Sequence, residues 1–191
     1  FQRTPNWLAP TPDYHEDVEP ETAWLQAALP EYGDWYRLWL FWRMHEGLTS
    51  AAAVDPEWSS PTGSVSLLNE MVRMGLVEYL EEQFAGHPDL LEKVVPTYPP
   101  IAKRIVRDNG VWARTLTADH VHLVTDAIEA VTPTGVRAGG VDHEVDVIIY
   151  GTGFHILDMP IADRVFDGDG RSLAGRWQGT PRAYLGTTVS G

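Results

Sequence analysis

Hydrophobic and polar positions along this chain fall into two regimes, with the change near Val95. Upstream, apolar residues recur at helical spacing. Residues 21–29 form a short helix candidate stopped by Pro30, and residues 34–48 a stronger one. There Trp35, Leu38, Trp39 and Trp42 recur at i, i+3, i+4 and i+7, Asp34 stands where a cap is needed, and Gly47 lies near the end. This Trp-rich stripe reads as the core-packing face of an amphipathic helix in preference to an aromatic binding wall. After a Pro-, Ser- and Gly-containing loop over 55–63, a long helix is predicted over 64–84, with Leu67, Leu68, Met71, Leu76, Tyr79 and Leu80 on one broad face. A further short helix follows over 88–94. No strand signal interrupts residues 21–94.

Downstream the apolar runs shorten and β-branched residues dominate. Strand candidates at 105–106, 121–124 and 128–131 are punctuated by Asp108-Asn109-Gly110 and Thr132-Pro133-Thr134-Gly135, and Gly139-Gly140 makes another turn before a strand over 145–150. Val147 to Tyr150 lack polar alternation, as in a strand buried on both faces of a parallel sheet. Gly151-Thr152-Gly153 then ends the run. Two residues without a Cβ permit a tight turn and close approach to a ligand, and ligands of open α/β sheets sit at the carboxyl ends of strands. A plain buried strand and turn is the competing reading. Residues 1–20 carry Pro5, Pro10, Pro12 and Pro20, a spacing that predicts an extended linker leaving a strand that ends near Phe1. The expected fold class is therefore α/β, part of a Rossmann-like dinucleotide-binding architecture, with the helical block inserted into it.

Charge and composition narrow the function classes. With 14 Lys and Arg against 27 Asp and Glu, the net charge of −13 argues against a nucleic-acid surface, which needs clustered cations. The acidic run Asp13, Glu16, Asp17, Glu19, Glu21, Glu31 and Asp34 reads as a solvated loop and helix start rather than a metal site. The absence of cysteine excludes disulfides, iron–sulfur clusters and thiol catalysis within these residues. No apolar run approaches the roughly 20 residues that span a bilayer; a cytoplasmic location is expected. The start at Phe1 without Met, and the end just after the apolar, strand-like residues 184–189, lead us to expect a segment of a larger protein.

Candidate chemistry is sparse. Arg3 and Thr4 follow the presumptive strand end, where a guanidinium and a hydroxyl suit a phosphate. Lys103-Arg104 is a second basic pair, preceded by Tyr98-Pro99-Pro100 and leading into a strand. Asp167-Gly168-Asp169-Gly170 lacks the ligand spacing of a calcium loop and reads as a turn. His120 and His122 have no third ligand nearby and read as a solvated face. The hydroxyls of Ser64 and Ser66 lack a nucleophile-elbow pattern.

Taken together, Phe1-Gln2-Arg3-Thr4-Pro5-Asn6-Trp7, Lys103-Arg104, residues 146–154, and Trp177 through Pro181-Arg182-Ala183-Tyr184-Leu185-Gly186 resemble flavin-dependent Baeyer–Villiger monooxygenases, in the family's order. The stretch from Trp35 through Phe41-Trp42-Arg43 to Tyr98-Pro99-Pro100 is most similar to the branch that includes 4-hydroxyacetophenone monooxygenase. The resemblance implies an enzyme that uses FAD, NADPH and molecular oxygen to convert a small-molecule ketone, an aryl or other bulky one, to an ester or lactone. It matches Arg3, Thr4 and Lys103 to the positions that hold the NADPH 2′-phosphate, and Arg104 to a catalytic arginine beside the flavin. Gly151-Thr152-Gly153 resembles the family's Ala-Thr-Gly turn near the cofactors, with Gly in place of Ala. The implied organisation is 1–20 as the end of an NADPH-domain strand and linker, 21–94 as a helical insertion, 95–145 as the remainder of that domain, and 146–191 as a return towards the FAD domain. The family's two glycine loops and the fingerprint between them fall outside 1–191. A flavin monooxygenase acting on nitrogen or sulfur is the enzymatic alternative. A non-catalytic, acidic, Trp-rich interaction module is the other.

Overall fold

The computed structural model of the protein describes residues 1–11, 14–155 and 157–189, with Met44 described by its backbone only. Pro12 and Asp13 of the expected linker and acidic run lie outside the described residues, as do Ser190 and Gly191 at the strand-like end. The chain divides into two compact units, Phe1–Val145 and Asp146–Gly191.

The first unit is a mixed α/β structure. Strand β1 (Leu8–Ala9) pairs in parallel with β2 (Val106–Arg107), Leu8 opposite Val106 and Ala9 opposite Arg107. Five helices intervene: α1 (Pro20–Ala28), α2 (Tyr32–His45), α3 (Leu48–Ala52), α4 (Leu67–Gln83) and α5 (Pro88–Val94). After β2 come α6 (Val111–Leu116) and an antiparallel meander of β3 (Ile128–Thr132), β4 (Gly135–Ala138) and β5 (Val141–Glu144). No helix among the described residues is long and apolar enough to cross a membrane.

Where the helices begin and end follows from local chemistry. Leu29 is extended, as the residue before a proline must be, so α1 stops at Ala28. Gly47 at φ 83° and an extended Glu46 break the expected 34–48 helix into α2 and α3. Helix α4 starts three residues later than the pattern suggests. Its cap is Ser66, whose hydroxyl accepts from the Asn69 N–H at 3.2 Å, while Ser64 instead accepts from the Trp58 indole.

Helix α4 lies across β1, and the core forms there. Trp7, Leu8 and Ala9 from the strand pack with Leu76, Leu80 and Phe84, four residues apart on one face of α4, and with Val94, Ala113 and Leu116. Each large side chain so buried contributes about 1.5–3 kcal/mol over its exposed state. Residues 1–20 are thus more than a linker: the proline-free window from Asn6 to Ala9 holds a short buried strand. Helix α6, absent from the sequence reading, is started by Asp108, whose carboxylate accepts from the N–H groups of Gly110 and Trp112 at 3.1 and 3.2 Å.

Three expectations are overturned. Residues 121–124 form no strand; Val121 and Leu123 pack against the core while His120 and His122 are exposed, and the Val124 carbonyl accepts only the Gln2 N–H at 2.8 Å. The Trp stripe is not core. Trp35, Trp39 and Trp42 are 67%, 48% and 65% exposed, because α2 packs along α1 and none of its described side chains joins the core cluster. Its aromatic rings stack on one another instead, Tyr36 on Trp39 at 5.6 Å, with the Arg43 guanidinium over Trp39.

The third correction concerns the second unit. Residues 147–150 form no strand among the described residues, and Ile149 is 91% exposed. A strand buried on both faces needs neighbours on each side, and the described residues supply none. The rest of this unit is a 3₁₀ turn at Pro160–Asp163, the helix α7 (Leu173–Trp177), and a tight loop in which Tyr184 bridges Thr188. Asp167 closes a turn by accepting from the N–H groups of Asp169 and Arg171 at 3.1 and 2.8 Å, and those bonds hold its carboxyl below the usual range.

Candidate functional site

The parallel pairing of β1 and β2 decides what comes together. Both strands are entered from the same end, so the residues leading into them, 1–7 and 98–105, become neighbours although about ninety positions apart in sequence. The Trp7 indole N–H that would otherwise be orphaned in the core donates to the Tyr98 carbonyl at 3.0 Å. The Tyr98 hydroxyl returns a bond to the Pro5 carbonyl at 3.0 Å, and its ring meets that of Trp7 edge-on at 6.4 Å. Burial pushes the Tyr98 hydroxyl above its ordinary pKa, so it stays a donor through the neutral range.

Lys103 sits over that ring, its ammonium 4.6 Å from the ring centre. Lys103 and Arg104 are exposed, as is Arg3; Thr4 is half-buried. None of the three cations forms an ion pair with a carboxylate among the described residues, in a chain whose net charge is −13. Lys103 is thereby tied through one phenol to the carbonyl next to Thr4. No hydrogen bond among the described residues joins Arg3 directly to Lys103 or Arg104.

Between Tyr98 and Lys103 the backbone turns sharply. Pro100 is fully buried, Ile101 adopts φ 71°, and the Ala102 N–H closes the turn on the Pro99 carbonyl at 3.3 Å. A β-branched residue in the left-handed region is uncommon and carries strain of about 1–3 kcal/mol. The turn is held from below by Asn69, fully buried, which donates to the Pro100 carbonyl at 3.0 Å.

Gly151, Thr152 and Gly153 belong to the second unit and are exposed. Gly153 stands at φ 81°, and a Cβ built on Gly151 or Gly153 would meet no atom of the described residues within 4 Å. Two concave patches, one lined by Pro20, Trp24 and Leu25 and the other by Val111, Arg114 and His120, include none of the candidate site residues. Sequence reasoning passed over Asn69 and Ile101. Asn69 gave no signal because its partners lie 18 and 31 residues away, and Ile101 is not a residue type that announces positive φ.

No family model matches the chain. It is 37% identical over 193 residues to the uncharacterized monooxygenase y4iD of Sinorhizobium fredii, which covers all of this chain and 29% of that protein. It is 34% identical over 196 residues to a Baeyer–Villiger monooxygenase of Streptomyces coelicolor, again over the whole chain and 34% of the relative. Among solved structures, the crystal structure of OTEMO in complex with FAD and NADP matches 97% of this chain and 38% of its own, with a TM-score of 0.62 and 24% identity. That likeness concerns the fold: a mixed α/β chain with helical insertions, consistent with a Rossmann-like dinucleotide-binding architecture. The chain spans about a third of the length of the curated relatives it matches. Along its whole length it is related to flavin monooxygenases of the Baeyer–Villiger kind, without one branch being singled out.

Proposed function

We propose that the intact protein is an FAD- and NADPH-dependent monooxygenase that inserts one oxygen atom beside a ketone carbonyl, giving an ester or lactone. The balance is ketone, O₂, NADPH and a proton to ester, NADP⁺ and water. What supports this reading is the meeting of residues 1–7 and 98–105 at one end of the β1–β2 pair, with cations that have no carboxylate partner among the described residues. Such cations suit an anionic ligand, and the relatedness to Baeyer–Villiger monooxygenases points to a nicotinamide cofactor's phosphate.

In this reading Lys103, Arg3 and Thr4 hold the 2′-phosphate of NADPH. The bound flavin, reduced by NADPH, supplies the activated oxygen. Arg104 stabilises negative charge that develops on the substrate oxygen during attack, a task suited to a guanidinium that never deprotonates. Gly151-Thr152-Gly153 lets the chain pass close to a cofactor because no Cβ intervenes. We assign 1–20 and 95–145 to an NADPH domain, 21–94 to its helical insertion and 146–191 to a return towards an FAD domain. An aryl or other bulky ketone is the proposed substrate class, and a cytoplasmic location belongs to the same reading.

Product analysis on the intact protein tests the reading. A ketone and a thioether are supplied with NADPH or NADH under oxygen. Ester formation with a preference for NADPH supports it; sulfoxide alone would assign the protein to oxidation at sulfur or nitrogen instead.

One observation favours a different class. The exposure of Trp35, Trp39 and Trp42 is what a non-catalytic interaction module presents. Acrylamide quenching of tryptophan fluorescence in the intact protein separates the two: protected α2 tryptophans fit the enzyme, and freely quenched ones fit the module.

A further inference from the structure

The side chain of Asn69 uses its amide group completely, and it does so beneath the basic pair. Its Nδ2 donates to the carbonyls of Ala51 and Pro100, each at 3.0 Å, and its Oδ1 accepts from the Val65 N–H at 3.3 Å. The residue is 0% exposed. Three segments therefore meet on one amide: α3, the loop before α4, and the turn that carries Lys103 and Arg104.

Only the amide satisfies this arrangement. The two carbonyls both require donors, so a carboxylate at position 69 would face two like dipoles, and an apolar residue would leave both acceptors unpaired and buried. Pro100 has no N–H of its own, which leaves its carbonyl as the handle by which the turn is held. One residue later Ile101 takes φ 71°, and from there Lys103 and Arg104 emerge into solvent on the way to β2. A strained residue persists only where its surroundings fix it, and Asn69 is the fixed point next to it.

We propose that Asn69 is a positioning residue for the cofactor-facing basic pair, acting through the Pro100 carbonyl to hold residues 98–104 in the one conformation that presents Lys103 and Arg104. The role of those two cations rests on the function proposed above; the clamp on the loop does not.

The test exploits the cations themselves, since trypsin cleaves after Lys103 and Arg104. Native-state cleavage that is slow relative to reclosing follows the population of the locally open loop. In the intact protein, Asn69→Leu should raise cleavage at these two sites about tenfold or more relative to cleavage at Lys93 and Arg137, as expected when the three hydrogen bonds of the amide are lost. Asn69→Ser, with room for a water to bridge one carbonyl, is the milder second variant and should fall between. Leu76→Ala weakens the core face of the same helix without removing any hydrogen bond of Asn69, and should raise all sites together. Equal acceleration at every site in the Asn69 variants would overturn the proposal and leave Asn69 as a general core residue.

The cofactor arm is read separately. The Asn69 variants should weaken discrimination of NADPH over NADH in parallel with loop opening. If Lys103→Ala itself leaves that discrimination unchanged, the cofactor reading of the pair fails, while the cleavage pattern still decides the clamp. Loop opening in the Asn69 variants with NADPH preference intact, where Lys103→Ala abolishes it, would overturn the positioning role.

Discussion

The ammonium of Lys103 rests 4.6 Å over the ring of Tyr98, whose hydroxyl donates to the Pro5 carbonyl, so a single aromatic side chain joins the two halves of the candidate site. Tyr98→Phe keeps the ring under Lys103 and removes the hydroxyl that donates to the Pro5 carbonyl at 3.0 Å and, more distantly, to Asn6 Oδ1 at 3.5 Å, a loss of about 0.5–1.5 kcal/mol. Tyr98→Leu also gives up the cation–ring contact, about another 0.5–1 kcal/mol at an exposed site. Denaturant midpoints measure both steps. Equal midpoints for the two variants would show that Lys103 gains nothing from the ring. In the intact protein Lys103→Ala should weaken NADPH binding by about ten- to a hundredfold, the worth of a charge-assisted contact. NADH binding should stay within about twofold, and parallel weakening of both cofactors would remove Lys103 from the phosphate site.

The two glycines of the 151–153 turn make different predictions. Gly153 holds φ 81°, so Gly153→Ala should cost about 1–2 kcal/mol of backbone strain even though its Cβ meets open space. Gly151 is not in the left-handed region, and its Cβ also meets nothing within 4 Å, so Gly151→Ala should change folding stability by no more than about 0.5 kcal/mol. Loss of cofactor retention in Gly151→Ala at unchanged stability would therefore report a ligand passing close to the turn. Full retention in both variants would make the turn a purely structural feature.

Helices were legible wherever their own residues dictated them. The spacing of Leu76 and Leu80, the proline after Leu29 and the left-handed Gly47 act within a few positions, and α1, α4 and α5 lie close to where the pattern puts them. The strand predicted over 145–150 does not form among the described residues. Its apolar run states what the segment needs, neighbours on both faces, but the described residues do not provide them. The Trp stripe misled for a related reason: periodicity identifies the apolar face of α2 but not whether anything within the chain covers it. At the site, Arg3, Thr4 and the basic pair could be named from sequence. Their proximity depends on a two-residue parallel pairing and on Tyr98 and Asn69, contacts across 31 to 98 positions that leave no local pattern.

The acid response of the first unit should carry a signature from Glu70. Its carboxylate accepts from the Thr62 hydroxyl and pairs with Arg73 at 3.2 Å, and hydrogen bonds from Thr62 and Ser64 hold its carboxyl below the ordinary value, against the opposing effect of burial. A lowered carboxyl contributes stability that is present above its unfolded pKa, about 4.3, and is lost as pH falls through the folded value beneath it. Glu70→Gln should therefore melt below the parent at pH 6, and the gap between their melting temperatures should narrow as pH drops below about 4.5. A gap independent of pH from 6 to 3 would mean that the charge on Glu70 contributes nothing.

Arg104 offers the most discriminating result for the proposed chemistry. It is exposed, one residue beyond Lys103 and two before β2, and it forms no ion pair among the described residues, so in the proposed reading its guanidinium is available to charge that a ligand brings. A group of that kind acts on charge that appears during reaction, and its removal should lower turnover far more than binding. Loss of a preorganised donor typically costs about a hundred- to a thousandfold in turnover. Arg104→Ala in the intact protein should accordingly retain FAD and bind NADPH, yet form ester at about a hundredth of the parent rate or less. Arg104→Lys should recover only part, because an ammonium cannot reproduce the planar fork. Stopped-flow absorbance separates flavin reduction from the later oxygen-dependent steps, and the deficit should fall on the latter. Near-normal ester formation by Arg104→Ala would leave Arg104 an ordinary surface cation and return the search for the stabilising group to other residues.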